Sequence, residues 1–428
     1  MTCGGLPNSP APAPMPAVAP PLEDENLLPE ILVRLAPLPS ALPRASLVCK
    51  RWRRLVTDRR FVRRFRAHHL GGPPPLIGFF EEVTRKPDPH NPAPGDPNVL
   101  SFTPAMDAPD RVPVGRFSLR LHDGSGRSNL GCRDGLVLLI DPAAADIEVL
   151  VWDPVTGDQH RFAIPRALDD RQGTEILNGA VLRTAGVLDG RPFRFRVVMA
   201  GIDRPNKRLF ACIYSSETGK WGDPIWVSVE HTSSTLAIVD MRISSTLVGN
   251  SLYWSLCSAN WEVGAILEFD LDTQHLTVIQ LPVGKCSDGS RSFRAMRVGG
   301  GELGILELLD SNLLLWKRKV DRDGVVSWVL GKTIGLEELL YIDKRKMGPM
   351  MLGYCEDNNV VFIWTHHGIF MVQLESLEVY KPPIQTFYCL VHPFTSVYTA
   401  DMGIGSEPDE AKLLCNAMHK KCPLYNHL

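Results

Sequence analysis

Apolar residues recur at helical spacing near the start of this chain and at strand-like spacing over most of the rest. Leu27, Leu28, Ile31, Leu32 and Leu35 fall on one face of a helix, and after a proline-punctuated turn Val48, Trp52, Leu55 and Val56 repeat the pattern on a second. Pro29 fits only a first helical turn, which predicts that the first helix begins near Leu28 or bends there. The run Arg59-Arg60-Phe61-Val62-Arg63-Arg64-Phe65 continues helically, with solvated arginines alternating with rings that need cover. So small a helical unit cannot bury both stripes alone, so a partner helix laid across it is expected.

Gly71-Gly72-Pro73-Pro74-Pro75 ends the helical region and forms a short, stiff linker. The surface nearest to Phe61 and Phe65 is then the domain beyond the linker, and the helix from Phe61 to His69 is expected to pack on it. Beyond the linker, runs such as Leu136–Ile140 and Phe195–Met199 read as strands bounded by turn residues. A longer unit also recurs: a strand ending in an aromatic and a polar residue, a Thr-Gly-like turn, then a strand often closed by proline. Leu150-Val151-Trp152-Asp153-Pro154-Val155-Thr156-Gly157 leads to Pro165, Cys212 to Gly219 leads to Trp221, and Ile266 to Thr273 leads to Pro282. Weaker copies run from Leu314 to Gly324 and from Ile369 to Pro382. A spacing of roughly fifty to sixty residues suits the blades of a propeller, in which each sheet buries its faces only against its neighbours. Five copies are visible, and strands between Leu76 and Phe117 could supply or complete another, so six blades are expected, with five or seven as the alternatives.

Composition narrows the class without changing the picture. The 428 residues are 44% hydrophobic and 22% charged with a formal net charge of -2, which suits a globular multidomain protein with no overall attraction for nucleic acid or anionic membrane. The Lys50 to Arg66 basic run reads as a solvated helix face. No segment has the roughly 18 to 20 continuous apolar residues of a membrane span. The Pro- and Ala-rich start reads as a flexible leader, and ten scattered cysteines without Cys-x-x-Cys suggest a reducing compartment.

EIL-x-RL at Glu30–Leu35 and LVCKRW at Leu47–Trp52, followed by Arg53-Arg54-Leu55-Val56, resemble the two helices of an F-box. Where many F-boxes open with Leu-Pro, this chain has Glu23-Asp24. From about Glu23 to about Ala400 the chain resembles a plant F-box family, prominent in grasses, whose F-box precedes an F-box-associated β-propeller. VWDPVTG, YSSETG-x-WG, LVGNSLYW, ILEFDLD and MVQLES are its signposts here. The resemblance implies an α+β multidomain chain: leader 1–21, helical F-box 22–70, linker 71–75, a mainly antiparallel, kelch-like all-β propeller 76–400 of about six blades, and a tail 401–428. It further implies that Leu28, Ile31, Leu32, Leu35, Leu47, Val48, Cys49 and Trp52 dock on a Skp-type adaptor, and through it on cullin, while the propeller holds a target protein. Such a receptor is cytoplasmic or nuclear and does no chemistry itself. The alternatives are an adaptor-bound scaffold outside any ligase, and a propeller enzyme or sugar-binding module. The last would need polar or carboxylate residues converging on one mouth of the ring.

Catalytic and metal motifs fail on inspection, and neither cofactor nor metal is expected. Gly299 to Gly304 fits G-x-G-x-x-G, but Ile305-Leu306-Glu307-Leu308 continues as a strand, so a hairpin turn is expected. The pairs Asp270/Asp272 and Asp321/Asp323 lack the glycine and distal glutamate of a calcium loop and read as turns. No serine lies in G-x-S-x-G, and Cys49 belongs to a packing stripe. His366 and His367, read as strand neighbours, would point to opposite faces, and His68-His69 suits a helix C-terminus. Cys415, His419, Cys422 and His427 match no common zinc spacing.

Overall fold

The computed structural model describes residues 21–69, 72–83, 99–120, 128–141, 147–168, 173–184, 194–228, 244–257, 264–281, 291–299, 301–320, 326–343, 345–382 and 389–398. The leader, the tail with its four cysteines and histidines, and the Asp321/Asp323 pair lie outside them.

Four short helices open the chain: α1 (Leu27–Leu32), α2 (Ala41–Ser46), α3 (Lys50–Thr57) and α4 (Arg59–His69). Pro29 does sit in the first turn of α1, and Asp24, just upstream, accepts hydrogen bonds from the Asn26 and Leu27 N–H groups at 2.7 and 3.2 Å. The supposed proline-punctuated turn is in part helix α2, because Pro43 also falls in a first turn, where its missing N–H has no intrahelical use. Asp58 ends α3 and starts α4, its Oδ1 accepting from the Arg60 and Phe61 N–H groups. Leu28, Leu32, Val33, Leu42, Ala45, Val56, Phe61 and Phe65 form the buried core of this unit. The rings of Phe61 and Phe65 are thus covered mainly by neighbouring helices rather than by the larger domain, from which, among the described residues, Val397 alone joins this hydrophobic cluster.

The strands among the remaining described residues form six antiparallel sheets. The first is built from both chain regions: Cys389–Thr395 pairs with Leu76–Val83, which pairs with Val99–Pro104 and then Leu119–Arg120. The next five follow in sequence, beginning at Ser128, Thr174, Thr246, Arg291 and Met350. Each contains one of the five sequence repeats, and the Leu76 region supplies the sixth blade, as the spacing predicts. The first strands of the sheets neighbour one another around an axis: 389–395 lies between 128–133 and 350–355, and 291–298 between 246–248 and 350–355.

Packing explains why the strands carry continuous rather than alternating apolar runs. In Leu136–Asp141, Leu136, Leu138 and Ile140 face the third blade, while Val137 and Leu139 face the first. A strand buried on both faces has no polar side to show. Six hydrophobic clusters result, one in each gap between blades, including the gap between the sixth and the first. The fold is a closed six-bladed antiparallel β-propeller preceded by a small helical domain.

The repeated turn has one chemical device. Asp153, Ser215, Asp270 and Gln373 each use a side-chain oxygen to accept the N–H of the residue two positions on. Four positions on, Gly157, Gly219, Gln274 and Leu377 take positive φ. Asp270 is therefore turn chemistry, as its sequence suggests, and hydrogen bonds from Thr273 and then the Asp272 N–H hold its carboxyl below the usual range.

Candidate docking site and the axis of the ring

The eight sequence-identified docking residues fall into two groups. Leu28 and Leu32 are 1% exposed and, with half-buried Leu35 and Trp52, hold the helices together. Ile31 at 37%, Leu47 at 58% and Val48 at 60% face outward, as does Cys49. Leu27, four residues before Ile31, extends this exposed set. Val48 lies outside α3, because Cys49 is an extended N-cap and the helix starts at Lys50, so the second apolar stripe is shorter than its spacing suggested. The Arg51 guanidinium donates to the Glu23 carbonyl at 2.7 Å, tying the start of α3 to the segment that leads into α1. Ile31 and the Leu47-Val48 pair are thus held on one small domain with their apolar surface in water.

That domain is fastened to the ring. The Ser40 N–H donates to Asp110 Oδ1 at 3.0 Å, Ser396 N–H to the Pro75 carbonyl at 3.2 Å, and Asn358 Nδ2 to the Pro74 carbonyl at 3.3 Å. Within the helical domain, the His69 ring meets the Val33 carbonyl at 3.1 Å, and burial followed by the neighbouring His68 lowers its pKa.

Polar groups do converge at this mouth of the ring, which sequence reasoning missed. Arg133 of the second blade meets Glu356 of the sixth at 2.7 Å and donates to the Ser245 hydroxyl and carbonyl beside the fourth. Glu356 also accepts the Leu247 N–H at 2.7 Å, and Thr395 donates to Asp357 at 2.7 Å. Glu356 and Arg133 are 223 residues apart, and only the turns after successive inner strands bring them together. Deeper along the axis, Ser244 lies 3.0 Å from His392 Nδ1, whose Nε2 lies 3.1 Å from Glu82. This serine–histidine–carboxylate array is not a usable nucleophile. His392 is 1% exposed, and the two adjoining cavities, each about 10 Å³, have room for little more than a water. At Gly353, which lines one of them, a Cβ would collide with the Val391 carbonyl, so closely do inner strands approach. The array ties the closing strand to the first and fourth blades.

Other candidate chemistry dissolves. Burial pushes the Cys212 thiol to about 11 and that of Cys355 higher still, so neither supplies a thiolate. His366 and His367 occupy a two-residue hairpin turn between paired Thr365 and Gly368, not a strand, and their ring centroids lie 3.8 Å apart. The opposite-face argument therefore does not apply to them. Among the described residues no group of three metal-competent side chains forms. The Gly301 turn does join two strands paired at Val298 and Glu302, as a hairpin should. No described helix is long and apolar enough to cross a membrane.

No curated protein matches the chain in sequence. Solved structures with a remote likeness include a protein of unknown function from Bacteroides caccae, at 10% identity and TM-score 0.39, covering 74% of this chain and 99% of that one. Another is TolB from Acinetobacter baumannii, at 12% identity and TM-score 0.36, covering 77% and 71%. Likeness this distant carries no argument about function. Family models are more specific. Residues 24–64 match the F-box domain, and residues 117–380, well over half of the chain, match the family described as F-box protein At3g26010-like, beta-propeller. F-box domains generally bind Skp-type adaptors, and an F-box joined to a propeller is typical of non-catalytic receptor proteins. The two matches, falling on the helical domain and the closed ring just described, show that this chain belongs to the F-box At3g26010-like β-propeller family.

Proposed function

We propose that this protein is the target-receptor subunit of a Skp–cullin–F-box ubiquitin ligase. The observation that carries the reading is the exposed apolar set Ile31, Leu47 and Val48, held by a buried hairpin core on a domain fastened to a rigid ring. An adaptor helix laid over that set would remove it from water, with Leu28, Leu32, Leu35 and Trp52 supporting the contact from beneath and Cys49 at its rim. The ring holds the target, and the assembly raises the target's effective concentration beside the ubiquitin-charged enzyme. The receptor needs no nucleophile of its own. A plant source, kelch-like blades and a cytosolic or nuclear setting belong to the same proposal.

A scaffold that binds the adaptor without cullin is the alternative. Affinity purification of the full chain from cells separates the two. Cullin recovered with the adaptor, and lost together with it in an Ile31→Asp/Val48→Asp variant, supports the ligase, whereas adaptor without cullin supports the scaffold.

A further inference from the structure

The outer edge of the fifth blade differs from every other described outer edge. Elsewhere the outermost strands are short: Leu119–Arg120, Gln159–Ala163, Lys220–Trp221 with Ile225–Ser228, Leu276–Gln280 and Val379–Tyr380. In the fifth blade Val326–Gly335 runs for 10 residues beside the 9-residue strand Asn312–Val320, broken by a bulge at Gly331 that leaves Val326–Leu330 as its regular outer stretch. Long edge strands offer unpaired N–H and C=O groups to any other chain, and proteins usually blunt them with charge, proline or brevity. Here Val326-Ser327-Trp328-Val329-Leu330 carries neither charge nor proline, and Val326, Val329 and Leu330 are exposed, as is Val320 across the hairpin.

The register sorts the side chains of this edge. Val320 opposite Val326, Arg318 opposite Trp328 and Trp316 opposite Leu330 share one face. Its inner part, Trp316 and Trp328, packs into the cluster between the fourth and fifth blades, and its outer part stands clear. The other face pairs exposed Lys319 with Ser327 and exposed Lys317 with Val329. A second copy of this chain added edge to edge through Val326–Leu330 would bring no carboxylate to these lysines, since that stretch has none. A partner with carboxylates at alternate positions would complement them.

We propose that Val326–Leu330 is a strand-addition site for an extended, acidic segment of a target protein. Its alternate apolar side chains pack beside Val326 and Leu330, and its intervening carboxylates lie beside Ser327 and Val329 and extend over them toward the long Lys319 and Lys317 side chains of the next strand in. This rests on the receptor reading for the fate of the bound protein, not for the binding itself.

The test uses purified full chain and three labelled octapeptides: glutamate alternating with valine, lysine alternating with valine, and four glutamates followed by four valines. Fluorescence anisotropy and amide hydrogen exchange are the readouts. The alternating acidic peptide alone should bind and should protect the amides of 326–330. Its affinity should fall about tenfold in Lys317→Glu/Lys319→Glu and in Leu330→Asp, all surface changes that leave melting unaltered. Equal binding of the block peptide, indifference to both variants, or protection at another blade would overturn the site. Adaptor binding is measured in parallel, so a failed receptor reading with intact peptide binding, or the reverse, is told apart.

Discussion

Arg133 shows what a single buried charge does for this ring. Its guanidinium and Glu356 are both largely withdrawn from water, so each depends on the other and on Ser245 and Leu247 for compensation. Glu356→Ala, which leaves the cation unpaired, should cost about 3 kcal/mol in urea unfolding, whereas the double change Arg133→Met/Glu356→Leu should cost much less. Asp357 makes a pH-dependent case. Burial, then the adjacent Glu356, raises its folded pKa above the ordinary aspartate value of 3.8. An acid with a raised folded pKa binds its proton more tightly in the native state, so it favours folding below the unfolded pKa and works against it once pH passes the folded value. Asp357→Asn should therefore stabilise the protein at neutral pH, keeping the Thr395 hydrogen bond, and the gain should shrink as pH falls toward 3.8. A gain independent of pH across that window would contradict the assignment. None of these residues was legible in the sequence, because each sits at a turn whose partner lies in another blade.

At the scale of elements, legibility followed the locality of the cause. The four side-chain-capped turns are written within five residues each, which is why the repeat was readable. Gly157 tests the device cleanly: its φ is 82° and a Cβ there would meet nothing, so Gly157→Ala strains only the backbone. It should lower stability by about 1 kcal/mol, read as a shifted urea midpoint with unchanged slope. Helix α2 was hidden because Pro43 looks like punctuation until its first-turn position is known. Pattern alone also left the docking set unsorted between buried and exposed positions. Spacing marks Leu28, Ile31 and Leu32 equally as apolar, and the packing of α2, α3 and α4 decides that Leu28 and Leu32 turn inward while Ile31 remains in water.

For the whole molecule, closure depends on the latest strand in the ring. Cys389–Thr395 completes the first blade, carries His392 into the axis and leads directly to Ser396 and Val397, which meet the linker and the F-box core. A chain ending at Lys381 should lose cooperative melting and aggregate through the bared edge of Leu76–Val83, as followed by light scattering during a thermal ramp. A soluble product with one sharp transition would show that the ring does not need its closure.

The receptor account stands most directly on one measurement: calorimetric titration of a purified Skp-type adaptor into the full chain and into Ile31→Asp/Val48→Asp. The exposed face predicts binding by the natural chain and a loss of roughly thirtyfold or more in the variant, with the propeller's melting transition unmoved. Wild-type affinity in the variant would contradict the docking face, and no binding by the natural chain would contradict the receptor itself.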